Sequence, residues 1–129
     1  MSDRARELIE SLALQPHPEG GWYRQVYKSS ERVTRQADGA DRTALTTIYF
    51  LLVAGVTSAW HRVDSDEAWH FYEGAPLELS TKTETTVLDA NNRVHVVPAR
   101  EWQSARSLGE YTLVGCTVGP GFEFEDFEM

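Results

Sequence analysis

The pattern of apolar and polar residues changes once along the chain, close to residue 16. Before that point, apolar residues recur every three or four positions, which is the spacing of an amphipathic helix. These residues are Ala5, Leu8, Ile9 and Leu12. Ser2 precedes them as a suitable cap, and prolines follow them. We predict one helix over residues 3–14.

The rest of the chain, after the Gly20-Gly21 pair, has the pattern of a β protein. Its apolar segments are short and rich in β-branched and aromatic residues, and clusters of Gly, Asn, Asp and Pro separate them. The predicted strands cover residues 22–27, 46–53, 58–63, 68–72, 77–81, 85–88, 93–97 and 111–118. Short strands at this spacing indicate a mainly β fold, a sandwich or jelly roll, with one short N-terminal helix.

Two polar stretches interrupt this pattern. Residues 29–42 predict a mobile loop, and residues 122–129 predict an acidic tail that also carries aromatic residues. Neither stretch indicates a second domain, and 129 residues provide for one hydrophobic core but not for two. We therefore expect a single domain over residues 1–129, in which residues 1–16 form the helix and its lead-in.

Composition and charge limit the partners and the setting of the protein. With 20 acidic residues against 12 Lys and Arg, the net charge of −8 would repel a nucleic-acid backbone. The single cysteine, Cys116, cannot form an intramolecular disulfide, and the first residues lack the apolar stretch of a secretion signal. The longest apolar run, 48–56, is shorter than the roughly 20 residues that cross a bilayer. We expect a cytoplasmic protein without nucleic-acid or membrane partners.

Residues 55–74 carry the pattern of a known motif. The first cupin motif consists of a glycine, five residues, His-x-His, three or four residues, a glutamate, six residues and a glycine. This chain has Gly55, His61, Glu67 and Gly74 at those positions. Val63 stands where the motif has its second histidine.

Residues 98–103 match the second cupin motif, Pro-x-Gly-x-x-His, only in part. Arg100 replaces its glycine, and Gln103 replaces its histidine. Together with the stretches 17–24, 59–67 and 114–122, these residues make the chain resemble the RmlC-like cupins, and among them the Cupin_5 subfamily, formerly DUF985. The resemblance implies a jelly-roll barrel (a double-stranded β-helix) that is commonly dimeric and is related to sugar-nucleotide epimerases and phosphosugar isomerases.

His61 and Glu67 are the candidates for catalysis. Strand alternation places His61 and Val63 on one face. Beyond the next turn, Glu67 shares a face with Trp69 and Phe71. An imidazole beside a carboxylate can remove a proton next to a carbonyl group, because the carboxylate raises the pKa of the imidazole toward neutrality. The same two residues can instead form a structural hydrogen-bonded pair.

His61, Glu67 and the amide oxygen of Gln103 can also bind a divalent metal ion. Val63 offers no lone pair where the motif has a ligand, so this site would have three ligands, one of them weak. His70 could add a ligand only from a β-bulge. We expect that no cofactor is required, and we keep a metal site as the alternative.

Six residues are candidates for binding a small molecule: Tyr23, Arg24, Tyr49, Trp69, Phe71 and Gln103. Arg24 can hold a phosphate or carboxylate with two hydrogen bonds, or it can form a surface ion pair. Trp69 can stack on a sugar or pack in the core. Gln103 stands where the second motif places a residue of the pocket.

Other reactive residues have plainer predicted roles. His17 and Glu19 precede the Gly-Gly turn, and we expect them to shape that turn and to face water. Cys116 has no histidine near it in sequence, which predicts a buried and inert thiol. His70 alternates with the residues on the face of Glu67, and we expect it to pack at a sheet or dimer surface.

Three functions follow from these residues. The first is an epimerase or isomerase of a polar carbonyl compound such as a sugar nucleotide, with His61 as the base and Glu67 orienting it. The second is a cupin that binds or senses a small ligand without catalysis. The third is a metal enzyme that uses His61, Glu67 and Gln103. We also predict a homodimer, from the resemblance and from the apolar groups on both faces of residues 68–72.

Overall fold

The computed structural model describes residues 1–129, which form one α-helix and thirteen strands. The helix α1 covers Asp3–Ser11. The strands are β1 Gln15–Pro16, β2 Trp22–Lys28, β3 Arg32–Thr34, β4 Asp41–Thr43, β5 Thr46–Val53, β6 Arg62–Val63, β7 Asp66–Gly74, β8 Leu77–Thr81, β9 Thr85–Leu88, β10 Val94–Val97, β11 Gln103–Ser107, β12 Tyr111–Gly119 and β13 Phe127–Glu128. A single 3-10 turn, Phe124–Asp126, precedes β13.

All paired strands are antiparallel, and most of them belong to two sheets. The larger sheet has the order β1-β2-β5-β12-β7-β10, and the smaller has the order β11-β8-β9. The late strand β12 lies between β5 and β7, so the chain repeatedly crosses from one part of the sheet to another. Such connections between two sheets are typical of a jelly roll, and the predicted mainly β class is confirmed.

The core lies between the two sheets. Strands β5, β7 and β12 of the larger sheet and β8 of the smaller one each contribute alternate residues to it, because side chains of a strand point to opposite faces in turn. Its buried residues are Phe50, Leu52, Trp69, Phe71, Leu77, Leu79, Leu88, Val97, Ala105, Val114 and Cys116. Full burial of one such Leu or Phe contributes about 1.5–3 kcal/mol, so this cluster is the main source of stability.

Helix α1 packs on the outer face of the larger sheet. Its first turn is capped, because the Oγ of Ser2 accepts a hydrogen bond of 3.1 Å from the backbone N–H of Ala5. Ala5 and Leu8 are buried in a second cluster with Leu51 of β5 and Leu113 of β12. The apolar stripe seen in the sequence therefore faces the sheet.

The helix is shorter than predicted. It ends at Ser11 rather than at residue 14, because Ala13 has a φ of 53°, outside the right-handed helical region. Leu14 is nevertheless buried in the cluster under α1, so its apolar character reflects burial and not helical structure. No helix of this structure is both long and apolar enough to cross a bilayer.

The polar stretch 29–42 is a hairpin, so the predicted mobile loop is wrong. Strands β3 and β4 pair from Arg32 opposite Thr43 to Thr34 opposite Asp41. Arg35 follows β3 and is buried, and its guanidinium group donates hydrogen bonds of 2.6 and 3.0 Å to the carboxylate of Asp38. Ion pairs stabilise this hairpin instead of apolar contacts. The sequence therefore shows no hydrophobic pattern in this stretch.

The C-terminal segment, residues 122–128, folds back onto the domain instead of forming a tail. Strand β13 pairs with β6, and Phe127 lies opposite Val63. The buried carboxylate of Asp126 accepts hydrogen bonds of 2.8–3.2 Å from Arg42 and Arg35. These two guanidinium groups lower the pKa of Asp126 to about 2, so the ion pairs persist at all ordinary pH values.

The region between β5 and β7 is less regular than predicted. Only Arg62–Val63 is a strand, and the rest of segment 58–63 pairs with β11 through one isolated bridge, which joins His61 to Gln103. Strand β11 was not predicted, because Gln103 and Ser104 are polar residues although both are buried. This bridge brings the region of the second motif next to the first motif.

Candidate active site

One cavity of about 370 Å³ lies beside β2, β5, β7 and β12, and the turn at residues 17–21 and the C-terminal segment complete its wall. Its lining residues are Gln15, His17, Glu19, Tyr23, Arg24, Gln25, Thr46, Ile48, His61, Val63, Glu67, Cys116, Val118, Phe122, Phe124 and Phe127. The cavity therefore brings together the predicted residues His61 and Glu67 with two residues expected to face water, His17 and Glu19.

His61 is fixed by its backbone and by one ring nitrogen. Its backbone N–H and C=O exchange hydrogen bonds of 3.0 and 2.8 Å with the backbone of Gln103. Its Nδ1 lies 2.8 Å from the Ala59 carbonyl oxygen and 2.6 Å from Oε2 of Glu19. Because both neighbours are acceptors, the proton of the neutral ring is on Nδ1 and the lone pair is on Nε2.

Opposing effects set the pKa of His61. Burial of the ring disfavours the charged imidazolium, but the adjacent carboxylate of Glu19 favours it, with smaller help from the Ala59 carbonyl and the charge of Glu67. The balance raises the pKa of His61 above the ordinary value of 6.5. The carboxylate in contact with His61 is thus Glu19, and the orienting role expected for Glu67 falls to it.

Glu67 is a buried carboxyl group at the end of a hydrogen-bond relay. The Nε2 of Gln103 donates to Oε1 of Glu67 at 2.8 Å, and the indole Nε1 of Trp69 donates to Oε1 of Gln103 at 2.8 Å. The indole donor thereby fixes which end of the amide faces Glu67. Burial and, to a smaller extent, the charge of Glu19 raise the pKa of Glu67 to about 7, so both protonation states are populated at neutral pH.

Cys116 borders the cavity beside Glu67. Its side chain is buried, and burial together with the charges of Glu67 and Glu19 raises the pKa of the thiol well above its ordinary value. Because the thiolate is the nucleophilic form, this thiol is unreactive at neutral pH. Cys116 therefore contributes a small, buried side chain to the cavity wall.

Glu19 lies between the two histidines of the cavity. Its Oε2 is 2.6 Å from Nδ1 of His61, and its Oε1 is 3.9 Å from Nδ1 of His17. Oε2 is buried without a hydrogen bond of acceptable geometry, because the Nδ1–H of His61 is directed at the Ala59 carbonyl. A buried carboxylate oxygen without a donor indicates a place where a ligand or a proton binds.

The Gly20-Gly21 turn positions Glu19. The Gly20 N–H donates to the His17 carbonyl at 3.0 Å, and the Ala59 N–H donates to the Glu19 carbonyl at 2.7 Å. Gly21 has a φ of 82°, and a Cβ atom there would lie 2.8 Å from the backbone oxygen of Leu51. Only glycine tolerates this approach. The turn therefore packs closely against β5, and Glu19 is directed into the cavity.

An aromatic wall, formed by Phe122, Phe124 and Phe127 of the C-terminal segment, borders the cavity. The ring centroids of these three residues are 4.9–6.2 Å apart, in edge-to-face contacts. The Phe127 ring lies 5.5 Å from His61 and 6.0 Å from His17. Phe127 therefore packs beside both imidazoles of the cavity.

The structure brings some of the proposed ligand-binding residues to the cavity and leaves others outside it. Tyr23 lines the cavity, and its ring lies 4.6 Å from His17. Arg24 also borders the cavity, but its Nη1 lies 3.4 Å from the Leu12 carbonyl, on the side where α1 packs. Gln103 does not line the cavity and reaches it only through Glu67.

Tyr49, Trp69 and Phe71 are not brought to the cavity. Tyr49 points to the outer face of the larger sheet, where its ring lies 6.0 Å from Tyr72. Trp69 and Phe71 are buried in the core between the sheets, as their alternation with outward residues of β7 requires. Of the candidates taken from the Glu67 face, only Glu67 itself borders the cavity, because it stands near the start of β7.

The three candidate metal ligands do not fit a metal site. Gln103 uses its amide oxygen to accept from Trp69 and its amide nitrogen to donate to Glu67. Two of the three candidate ligands, Gln103 and Glu67, are therefore hydrogen-bonded to each other. No group of three His, Cys, Asp or Glu side chains has an arrangement that could hold a metal ion.

Sequence and structure comparisons agree on the relatives of this chain. The Cupin_5 family, described as Cupin superfamily (DUF985), matches residues 6–129. A hypothetical protein from Leishmania major is similar at 32% identity and a TM-score of 0.90, with 97% of this chain and 86% of that chain covered. A protein from Shewanella oneidensis is similar at 34% identity and a TM-score of 0.85, with 100% and 85% covered.

More distant structures share the fold. KdgF from a Halomonas species has a TM-score of 0.64 at 16% identity, with 83% of this chain and 86% of that chain covered. No curated protein matches the chain. The match over nearly the whole length, together with the two relatives above 30% identity, shows that the chain belongs to the Cupin_5 (DUF985) family of the cupin superfamily.

Proposed function

We propose that the protein is a metal-independent enzyme that epimerises or isomerises a small polar carbonyl compound by proton transfer. The main support is that His61 and Glu67 border one cavity and that the pKa of each is raised above its ordinary value, that of Glu67 to about 7. An acid or base that moves a proton next to a carbonyl group works best when its pKa is close to the working pH.

In this proposal His61 is the base. Its Nε2 carries the lone pair and has no hydrogen-bond partner in the protein, while the ring lines the cavity. Nε2 takes a proton from the carbon next to the carbonyl, and the electron pair of the broken C–H bond forms an enolate. The imidazolium produced is stabilised by the charge of Glu19, which lies 2.6 Å from the other ring nitrogen.

Glu67 is the acid of the proposed reaction. In its protonated form it returns a proton to carbon and becomes a carboxylate, which keeps the hydrogen bond from Gln103. His61 is then an imidazolium with both ring nitrogens protonated and Glu67 is a carboxylate, so transfer of one proton from His61 to Glu67, directly or through solvent, restores the starting state. Because the pKa of Glu67 is about 7, its carboxylate can be protonated again at neutral pH.

We narrow the substrate to a compound without phosphate groups. Arg24 is the sole Lys or Arg that borders the cavity, and its guanidinium group is directed to the Leu12 carbonyl. A diphosphate would lie near Glu19 and Glu67 without a cation to balance it, at a high cost in free energy. An unphosphorylated sugar or hydroxy carbonyl compound suits the cavity better than the sugar nucleotide considered from the sequence.

The test is deuterium incorporation measured by NMR. The protein is incubated in D2O with unphosphorylated aldoses and ketoses of three to six carbons, and with a sugar nucleotide for comparison. We expect exchange of the C–H next to the carbonyl in at least one unphosphorylated compound, loss of exchange in His61→Gln, and retention in His95→Gln, a matched change at a histidine outside the cavity. Full exchange by a folded His61→Gln protein would assign the base elsewhere.

A non-catalytic ligand-binding cupin is the second candidate. The aromatic wall of Phe122, Phe124 and Phe127 favours it, because these rings provide contact area but no proton transfer. A compound that binds in a calorimeter and is recovered without deuterium after long incubation would support this candidate over the enzyme.

We further propose that the protein works as a homodimer in the cytoplasm. Tyr72, Val94 and Val96 support the dimer, since all three are about half exposed on the outer face of neighbouring strands β7 and β10. The single buried cysteine is compatible with a reducing compartment.

A further inference from the structure

We infer that His17 is a second catalytic residue, a neutral imidazole whose Nε2–H donates a hydrogen bond to the carbonyl oxygen of the substrate. The inference rests on the proposed function and adds to it a binding site for the oxygen that becomes negatively charged. The ligand group it implies is an uncharged carbonyl that is converted to an enolate.

The tautomer of His17 follows from one backbone contact. The N–H of Glu19 donates to Nδ1 of His17 at 3.1 Å. A backbone N–H can only donate, so Nδ1 carries the lone pair and the proton of the neutral ring is on Nε2. Glu19 Oε1, at 3.9 Å from Nδ1, is too far away to accept a hydrogen bond from it.

The donor of His17 is available to a ligand. Nε2 has no hydrogen-bond partner in the protein, and it is not fully buried, so a ligand can reach it. The ring lines the cavity and is enclosed by Tyr23 and Phe127, at centroid distances of 4.6 and 6.0 Å. A polar N–H held in such surroundings gains more from a ligand oxygen than it would in water.

Burial also keeps His17 neutral. The pKa of His17 is lowered by burial, and the charge of His61 acts in the same direction against the opposite effect of Glu19. The ring therefore donates a hydrogen bond without giving up a proton. A neutral imidazole can stabilise an enolate oxygen in this way, because the hydrogen bond strengthens as negative charge develops on that oxygen.

Glu19 gives the two histidines opposite tautomers. Its backbone N–H leaves the lone pair of His17 on Nδ1, whereas its side chain and the Ala59 carbonyl require a proton on Nδ1 of His61. One imidazole is thereby prepared to accept a proton and the other to donate a hydrogen bond. The two functions needed to form an enolate, a base for carbon and a donor for oxygen, then border the same cavity.

The reaction balances with these assignments. His61 removes the proton from carbon, the electron pair moves toward the carbonyl oxygen, and the Nε2–H of His17 stabilises that oxygen without transfer. A proton from Glu67 returns to carbon as the electron pair moves back, and His17 ends in its starting state.

The tautomers can be tested without a substrate. In the full-length protein labelled with 15N-histidine, long-range 1H–15N spectra separate protonated from unprotonated ring nitrogens, and spectra of His17→Gln and His61→Gln assign the signals. Near pH 8.5 we expect His17 to be protonated on Nε2 only, and a neutral His61 to be protonated on Nδ1. A proton on Nδ1 of His17, or a charged His17 ring, would overturn the inference.

The catalytic role is tested with the compound that the wild-type protein exchanges with D2O. His17→Leu removes the donor, and we expect kcat to fall about 100-fold with little change in KM, as for the loss of an oxyanion donor. His17→Gln supplies an amide N–H of similar reach, and we expect it to restore part of kcat. Wild-type exchange with an unaffected His17→Leu protein overturns this inference alone, whereas absence of wild-type exchange overturns the proposed function and the role of His17 with it.

Discussion

At the scale of single residues, the ionised form of Glu67 destabilises the folded protein. A buried group whose pKa is raised on folding stabilises the protein less as pH increases between its unfolded and folded pKa values. For Glu67 these values are 4.5 and about 7, which corresponds to about 3 kcal/mol between the two limits. The free energy of unfolding should therefore fall across this pH range and stay lower above it.

We predict that Glu67→Gln stabilises the protein at pH 8.5 by as much as about 3 kcal/mol and has little effect near pH 4, below the unfolded pKa. The amide keeps an oxygen that accepts from Gln103 and never carries a charge. Urea denaturation at both pH values measures the difference. The matched control is Glu110→Gln on the surface, and an equal effect of the two changes at pH 8.5 would contradict the assignment.

A second residue-scale prediction concerns Glu19. In Glu19→Gln the charge that raises the pKa values of both His61 and Glu67 is lost, so both pKa values should fall. The fall should be larger for His61, because Glu19 contacts it directly. NMR titration of the histidine and glutamate side chains measures both shifts. An unchanged pKa of His61 in the folded variant would contradict the contact.

The sequence motif identifies His61 and Glu67, but it does not identify their surroundings. Glu19 was expected to face water, since Pro and Gly residues beside it indicate an exposed turn. Its burial depends on the hydrogen bond from Ala59 and on the close packing of Gly21 against β5. These contacts join parts of the chain that are distant in sequence, so no local pattern predicts them. The only local indication of a packed turn was the Gly20-Gly21 pair directly after Glu19.

At the scale of elements, the ion pairs of Asp126 hold the aromatic wall in place. We predict that Asp126→Asn destabilises the protein by about 3 kcal/mol, because it removes the buried negative charge that Arg35 and Arg42 share. Hydrogen exchange of residues 122–128 should become faster. Glu125→Gln is the control, since Glu125 also pairs with Arg42 but is mostly exposed. Slow exchange in a folded Asp126→Asn protein would show that the strand pairing alone holds the segment.

Elements with a simple pattern were predicted with their observed bounds. Strands β5, β8 and β9 consist largely of β-branched and apolar residues, and the predicted ranges coincide with the observed ones. Strand β11 has the sequence Gln-Ser-Ala-Arg-Ser, in which polar residues are buried through specific hydrogen bonds, such as that from Ser104 Oγ to the Ser58 carbonyl. A hydrophobic pattern cannot reveal burial that polar pairing supports.

At the scale of the whole molecule, the outer face of β7 and β10 bears on the oligomeric state. Tyr72, Val94 and Val96 are half exposed there, and covering them in a symmetric pair would bury apolar surface. We predict a dimer at micromolar concentration by light scattering, and a monomer in a Val94→Lys, Val96→Lys double variant. A monomeric wild-type protein would refute the dimer, and a dimeric double variant would place its interface elsewhere.

The hydrogen bonds from Trp69 through Gln103 to Glu67 should make the fluorescence of Trp69 depend on the ionisation of Glu67. Trp69 is the one fully buried tryptophan, and its N–H is two hydrogen bonds from the carboxyl group. Ionisation of Glu67 changes the electric field at the indole, so the wavelength of its fluorescence should change with a midpoint near pH 7. Glu67→Gln should remove that midpoint. Ligand binding that alters the protonation of Glu67 could then be followed by intrinsic emission, without a label and before any product is identified.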